Sequence, residues 1–218
     1  MTMENSTQST ADGPRSQLRE AAGRRVSAAQ SGYLAGDGRA PGAKAQLAKL
    51  RVLDPLRPAA DPSLYEVIFG DLPSTLVGTG DEPSRSELAL AMALHLHAVH
   101  QQGRSEARHS SIVGLGKSMQ RLAIAKGHGG ELSEGVVTRL NLLVRATSPA
   151  MRLQHLRSIV RQLRDERIPL DYGQLAVDLY DLARPDTSAR AHLAWARDFH
   201  ARPKKTPEQA VVGQSEME

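Results

Sequence analysis

The segment Met151–Arg167 constrains the fold of this chain most strongly, because two sets of side chains recur along it at helical spacing. Its apolar residues are three or four positions apart, which places them on one side of an α-helix: Leu153, Leu156, Val160 and Leu163. Three arginines follow one residue later, about 100° further around the helix: Arg157, Arg161 and Arg164. The segment therefore predicts a helix that packs into a core and presents guanidinium groups, which suit a polyanion, beside that core.

The composition favours helix along the rest of the chain. Alanine, leucine and arginine are abundant, β-branched runs are few, and aromatic residues make up 3% of the 218 residues. The absence of cysteine excludes disulfides and thiolate metal sites. No apolar run approaches the roughly 18 residues that span a bilayer, and the N-terminal residues lack the apolar core of a secretory signal. We therefore predict an all-α protein that resides in the cytoplasm and makes no contact with a membrane.

Periodicity and capping signals predict about eight helices between two polar tails, residues 1–15 and 202–218, which we expect to be disordered. Ser84 and Glu87 form a capping box at the start of a long helix. Asp171 is expected to cap a later helix, and Asp186 or Thr187 the last one. The long helix is expected to bury one stripe: Leu88, Ala91, Met92 and Leu96. Besides a short helix near residues 63–69, the helical segments lie near residues 16–34, 43–51, 84–102, 116–126, 133–146, 149–167 and 172–182, and the last one follows its cap and ends near residue 200.

The segment GLGKS at Gly114–Ser118 resembles a phosphate-binding loop but lacks two essential parts. The full pattern requires a glycine where Ser111 stands, and it requires a buried strand before the loop. We interpret the segment as a flexible helix start, where Lys117 is available to an anion at the positive end of the helix dipole.

Two clusters of polar residues invite an enzymatic or metal-binding interpretation. Of the four histidines at positions 95, 97, 100 and 109, only His97 and His100 are neighbours on a helix, and no carboxylate lies one turn away. Asp171, Asp178 and Asp181 recur at helical spacing without a matching general acid or metal set. Polar structural contacts explain the histidines, and capping with ion pairs explains the aspartates. We predict that the chain is not an enzyme and binds no metal, cofactor or small-molecule substrate.

Positive charge is concentrated in the middle of the chain. Residues 104–167 hold 12 Lys and Arg against 5 Asp and Glu, a net charge of +7, whereas the rest holds 16 against 19, a net charge of −3. This distribution is typical of a phosphate-binding face, although unclustered surface arginines give the same count. Because few aromatic residues accompany these cations, we expect contact with the nucleic-acid backbone and not base stacking. The candidate residues are Lys49, Arg51, Lys117, Arg121, Arg139, Arg145, Arg157 and Arg161.

Seven segments between Arg25 and Phe199 form a pattern in their order and spacing. They are RVSAAQSGYLAGD (25–37), AQLAKLR (45–51), ALHLHAVHQQGR (93–104), GLGKSMQRLA (114–123), TRLNLLVRA (138–146), HLRSIVRQLRDERIPLDYGQLAVDLYDL (155–182) and AWARDFH (194–200). Together they resemble the CasB family, the small subunit of the type I-E CRISPR surveillance complex Cascade. Three positions depart from the family pattern: Val52 and Thr138 stand where it has a second arginine, and Gly114 replaces a serine.

The resemblance implies a two-lobed helical bundle without catalytic activity, with lobes at residues 16–110 and 111–201. It also implies several partners: the backbone and large subunits of Cascade, a second copy of this chain, the guide RNA and the target DNA. A basic surface of such a subunit stabilises the R-loop and holds the displaced strand. An alternative stays open, in which the arginines bind acidic partner subunits, the chain serves assembly alone, and no DNA is contacted.

Overall fold

The computed structural model describes residues 13–201, and within them it confirms the all-α prediction. Two 3-10 turns, Pro58–Ala60 and Pro62–Leu64, and an isolated bridge between His109 and Leu170 complete the regular structure of this range. Within the same range, no helix is both long and apolar enough to cross a membrane. The nine α-helices of these residues are α1 (Pro14–Leu34), α2 (Ala40–Val52), α3 (Tyr65–Phe69), α4 (Arg85–Gln101), α5 (Leu115–Ala125), α6 (Glu134–Arg145), α7 (Pro149–Asp165), α8 (Tyr172–Leu182) and α9 (Pro185–His200).

Helix α4 lies at the centre of the fold. It packs against α1, α2, α7 and α8, and every residue from Ala89 to Gln101 is buried. Burial is confirmed for three residues of the predicted stripe, Ala91, Met92 and Leu96, whereas Leu88 is only half-buried and burial is not confined to one stripe. The reason is that α3 also packs against α4, so five helices surround it and cover its residues on all sides.

The hydrophobic core is continuous along the described chain. Helices α1 and α4 pack against α8, and α8 in turn packs against α9. The division into lobes at residues 16–110 and 111–201 stays a prediction. The predicted tails, residues 1–15 and 202–218, lie outside the described residues except for positions 13–15, where Pro14 already begins α1.

The capping predictions are confirmed at two helices and wrong at a third. The Ser84 hydroxyl accepts from the Glu87 amide at 3.1 Å, and the Glu87 carboxylate accepts from the Ser84 amide at 2.6 Å. Asp171 caps α8 by accepting from the Gln174 amide at 2.9 Å. Helix α9 instead begins at Pro185, whose missing N–H costs nothing in a first turn.

The two residues expected to cap α9 have other partners. Asp186 lies inside the first turn and binds the Arg184 guanidinium, with a shortest distance of 2.8 Å. The Thr187 hydroxyl donates to the Asp181 carbonyl at 2.6 Å, at the end of α8. The two side chains that were expected to cap α9 therefore stabilise the connection between α8 and α9 instead.

Candidate nucleic-acid interface

The eight candidate cations lie in pairs on four helices. Lys49 and Arg51 are in the last turn of α2, where the helix dipole favours a cation. Arg157 and Arg161 lie on α7, whose predicted apolar side is fully buried, together with Ile159. The two remaining pairs are Lys117 and Arg121 on α5 and Arg139 and Arg145 on α6.

The pairs on α2 and α7 are joined through the central helix. The Arg157 Nε–H donates to His95 Nε2 at 2.8 Å, and the other ring nitrogen of His95, Nδ1, lies 2.9 Å from the Leu50 carbonyl oxygen. Leu50 stands between Lys49 and Arg51 in the sequence. One buried histidine thus links the end of α2 to the arginine row of α7.

On α5, Lys117 is hydrogen-bonded within the protein, whereas Arg121 is exposed. The Lys117 ammonium donates to Gln120 Oε1 at 2.5 Å, and the Gln120 amide donates to the Phe199 and Ala201 carbonyls at 2.7 and 2.6 Å. Lys117 therefore points along its helix toward the end of α9, and its ammonium does not face the N-terminus of α5. Arg121 is exposed and forms no hydrogen bond or ion pair within residues 13–201.

The second glycine of the GLGKS segment serves helix packing. A Cβ built on Gly116 would lie 2.3 Å from the Trp195 carbonyl oxygen and 2.8 Å from the Trp195 Cα, so α5 and α9 approach each other through backbone atoms. The Ser118 hydroxyl donates to the Pro169 carbonyl at 2.7 Å. These contacts account for the segment without a bound phosphate.

The α6 pair is exposed, and its members do not meet. Arg139 donates to the Gly135 carbonyl of its own helix at 2.8 Å, and Arg145 forms no hydrogen bond or ion pair with another described residue. Helix α6 packs on both α5 and α7. The α6 cations therefore lie on a helix that packs against both of the other cation-bearing helices of the second half of the chain.

The eight candidates lack an acidic partner, a property that they share with seven other described cations: Arg25, Lys44, Arg57, Arg85, Arg152, Arg190 and Arg197. Among residues 13–201, none of the eight forms an ion pair with a carboxylate; the partners of Lys49, Lys117, Arg139 and Arg157 are neutral groups. Arg164, the third arginine of the predicted row on α7, is not a candidate and binds Asp165 at 3.3 Å. The cations that do pair with a carboxylate are Arg15, Arg19, Arg24, Arg39, Arg104, Arg108, Lys126, Arg164, Arg167 and Arg184.

The histidines of α4 are neutral core residues. His100 Nδ1 lies 2.9 Å from the Tyr172 hydroxyl, whereas neither ring nitrogen of His97 has a hydrogen-bond partner within the described chain. Burial lowers the pKa of His95 to about 4, and that of His97 and His100 to about 3. Within residues 13–201, no three His, Asp or Glu side chains are grouped so that they could hold a metal ion.

The three aspartates near α8 also have structural partners. Asp171 binds Arg19 at 3.1 Å and Asp181 binds Arg15 at 2.8 Å, so ion pairing is confirmed for both and capping for Asp171 alone. Asp178 accepts from the Trp195 indole at 2.7 Å and from the Gln174 amide at 2.8 Å. Burial raises the pKa of Asp178 to about 6.

The sequence pattern did not identify two residues that shape this surface. His95 was expected to make only a general polar contact, and the available signal was a polar ring within an apolar helix. Arg152 belongs to the same helix as the arginine row, but it donates to the Ala146 and Thr147 carbonyls at 3.1 and 3.3 Å. It thus caps the end of α6 and is turned toward the protein.

These features define an all-α protein whose surface carries lysines and arginines without acidic partners. The family model of CRISPR-associated protein Cse2 matches residues 46–200. The crystal structure of CasB from Thermobifida fusca is similar to this chain with a TM-score of 0.67 and 32% identity, over 85% of this chain and 98% of that one. The chain belongs to the Cse2 family, and is therefore a subunit of a CRISPR Cascade complex. No curated protein matches it.

Proposed function

We propose that this chain is the non-catalytic small subunit of a type I-E Cascade complex and that its eight candidate cations contact the nucleic-acid backbone. These contacts stabilise the R-loop and the displaced DNA strand in antiviral defence. The observation that carries the proposal is that six of the eight lie on α5, α6 and α7, which pack on one another, and that none of the eight pairs with a carboxylate within residues 13–201. The positive charge of a side chain that has no carboxylate partner in its own chain is available to an anion of another molecule.

The energetics of R-loop formation favour contacts between the protein and the nucleic-acid backbone that do not depend on base sequence. The RNA–DNA hybrid formed in an R-loop is about as stable as the duplex that it replaces, so contacts to the sugar-phosphate backbone can tip the exchange. Arginine suits this role because its guanidinium stays charged and binds two phosphate oxygens at once. The guide RNA supplies sequence recognition, and the small subunit needs none.

The proposed partners are the backbone and large subunits of Cascade, a second copy of this chain, the guide RNA and the target DNA. We place the complex in the cytoplasm, without a cofactor, a membrane contact or a small-molecule substrate. The polar groups in the core support a non-catalytic role. His95, His100 and Asp178 are buried against structural partners and are not presented to solvent as a site.

A second candidate function is assembly without DNA contact. It is favoured by exposed apolar side chains, of which Ile112 is 88% exposed and Val52 is 85% exposed next to Arg51. Such residues are typical of protein–protein contacts when they form a patch. In this case the cations of α2 bind acidic side chains of a neighbouring subunit.

Charge reversal at two exposed candidates distinguishes these functions. We expect Arg121→Glu combined with Arg161→Glu to weaken R-loop formation by about tenfold at low salt, because each loses a phosphate contact. The salt dependence of binding should flatten by about 0.7 in log–log slope per lost single-strand contact. Both are measured with complex that contains the variant subunit and a double-stranded target.

The matched control is Arg197→Glu on α9, which is also exposed and free of partners within residues 13–201 but lies outside the candidate set. Normal assembly with impaired R-loop formation in the double variant alone supports the proposal. Normal R-loop formation by every assembled complex overturns it. If the double-variant subunit is instead lost from the complex, it is supplied in excess to restore assembly. Normal R-loop formation by that restored complex indicates the assembly function.

A further inference from the structure

We propose that His95 is a positioning residue that holds the Arg157 guanidinium for phosphate contact and fixes the end of α2 beside it. This inference rests on the proposed function, because it concerns how one of the candidate cations is presented. The geometry that carries it is the pair of contacts on the two ring nitrogens of His95.

The position of the proton on His95 follows from its first partner. Leu50 lies in the last turn of α2, where carbonyl groups have no partner within the helix. A carbonyl oxygen only accepts, so the 2.9 Å contact requires His95 Nδ1 to carry the proton. In the neutral ring the other nitrogen, Nε2, then has a free lone pair, and it accepts from the Arg157 Nε–H at 2.8 Å.

The neutral form of His95 is maintained by its surroundings. The ring is 1% exposed, and its burial, together with the charges of Arg157 and Arg161, lowers its pKa. The Leu50 carbonyl and the Asp54 carboxylate act in the opposite direction, and burial prevails. At neutral pH the ring therefore keeps one donor and one acceptor, each matched to its partner.

The contact leaves the outer part of the Arg157 guanidinium available. A guanidinium has five N–H donors, and only the Nε–H is engaged, since Nη1 and Nη2 have no hydrogen-bond partner within residues 13–201. Holding Nε in place restricts the rotamers of the side chain before a ligand arrives. Such preorganisation lowers the entropy cost of binding.

The same ring aligns a second pair of cations. Lys49 and Arg51 flank Leu50, whose carbonyl His95 binds, and Arg161 lies one turn from Arg157 on α7. His95 thus determines where the end of α2 stands relative to the arginine row. Replacing His95 is therefore expected to weaken contact with the nucleic-acid backbone because these cations are displaced. The imidazole of His95 itself contacts no phosphate in this proposal.

A double-mutant cycle tests the inference in complexes that contain the full chain. We expect His95→Leu to weaken R-loop formation about threefold and Arg157→Gln about fivefold, whereas the double variant should be weakened by clearly less than the product of the two effects, since only the alignment of α2 is then left to lose. His95→Gln keeps an amide donor and a carbonyl acceptor, and we expect it to restore most of the affinity. Thermal unfolding of each subunit separates a loss of stability from a loss of positioning.

The outcomes separate the inference from the proposed function. If His95→Leu weakens R-loop formation equally with and without Arg157, the two residues act independently and the inference is wrong. If Arg157→Gln alone has no effect, the proposed role of Arg157 fails. In either case, hydrogen exchange of the Arg157 Nε–H in the full chain reports the contact directly. Slow exchange that becomes fast in His95→Leu supports it, and fast exchange in the unmodified chain overturns it.

Discussion

Replacing Gly116 by alanine is expected to destabilise the chain by about 3 kcal/mol, although alanine normally stabilises a helix relative to glycine by about 1 kcal/mol. The new Cβ would lie 2.3 Å from the Trp195 carbonyl oxygen and 2.7 Å from the Asp198 Cβ. Both obstacles are near the backbone of α9 and cannot rotate away, so α9 must move from α5. Denaturant-induced unfolding of the purified chain measures the effect.

The control for this prediction is a glycine in open space. Gly23 lies within α1, and no atom is within 4 Å of a Cβ built there. Gly23→Ala is therefore expected to stabilise the chain by about 0.5–1 kcal/mol. Equal stabilisation by the two substitutions would show that α5 and α9 do not approach each other as closely as described.

Acidification is expected to lower the free energy of unfolding by roughly 4 kcal/mol between pH 6.5 and pH 5. His95, His97 and His100 have pKa values of about 4, 3 and 3 in the folded chain, against 6.5 when unfolded. In this window the unfolded chain binds protons that the folded chain does not, so stability falls as the pH falls. Asp178 opposes the trend, because its raised pKa of about 6 makes the folded chain take up a proton first.

Substitution of one histidine tests the origin of this pH dependence. Neither ring nitrogen of His97 has a partner within residues 13–201, so His97→Leu is expected to stabilise the chain by about 1–3 kcal/mol at pH 7. It should also remove about 2 kcal/mol of the loss between pH 6.5 and pH 5. Denaturant titrations at a series of pH values measure both. An unfolding free energy that stays constant over this range would show that these histidines are not buried and neutral.

Local sequence signals predicted the helices and most of their starts. The apolar stripe of α7 and the Ser84–Glu87 capping box depend only on residues a few positions apart, and both are confirmed. The predictions that were wrong depend on neighbours in space. Leu88 was assigned to a single buried stripe, but five helices pack against α4 and burial extends all around it. Asp186 and Thr187 fit a cap locally, but Arg184 and the Asp181 carbonyl engage them instead.

The candidate site was predictable in composition but not in arrangement. The basic segment and its arginines are visible in the sequence, whereas half of the described ion pairs join residues that are far apart in the sequence, such as Arg15 and Asp181. His95 meets the Leu50 carbonyl from 45 positions away and Arg157 from 62 positions away. No periodicity along one helix encodes such a contact. The fold is therefore needed to show which cations keep their charge free for a ligand.

The most direct test of the proposed function is an experimental structure of the assembled complex bound to target DNA. We predict phosphate oxygens about 3 Å from the guanidinium groups of Arg121, Arg157 and Arg161. The Arg157 Nε–H should still donate to His95 in that structure. Carboxylates of partner subunits at these guanidinium groups, with no nucleic acid nearby, would contradict the proposal and establish the chain as an assembly subunit.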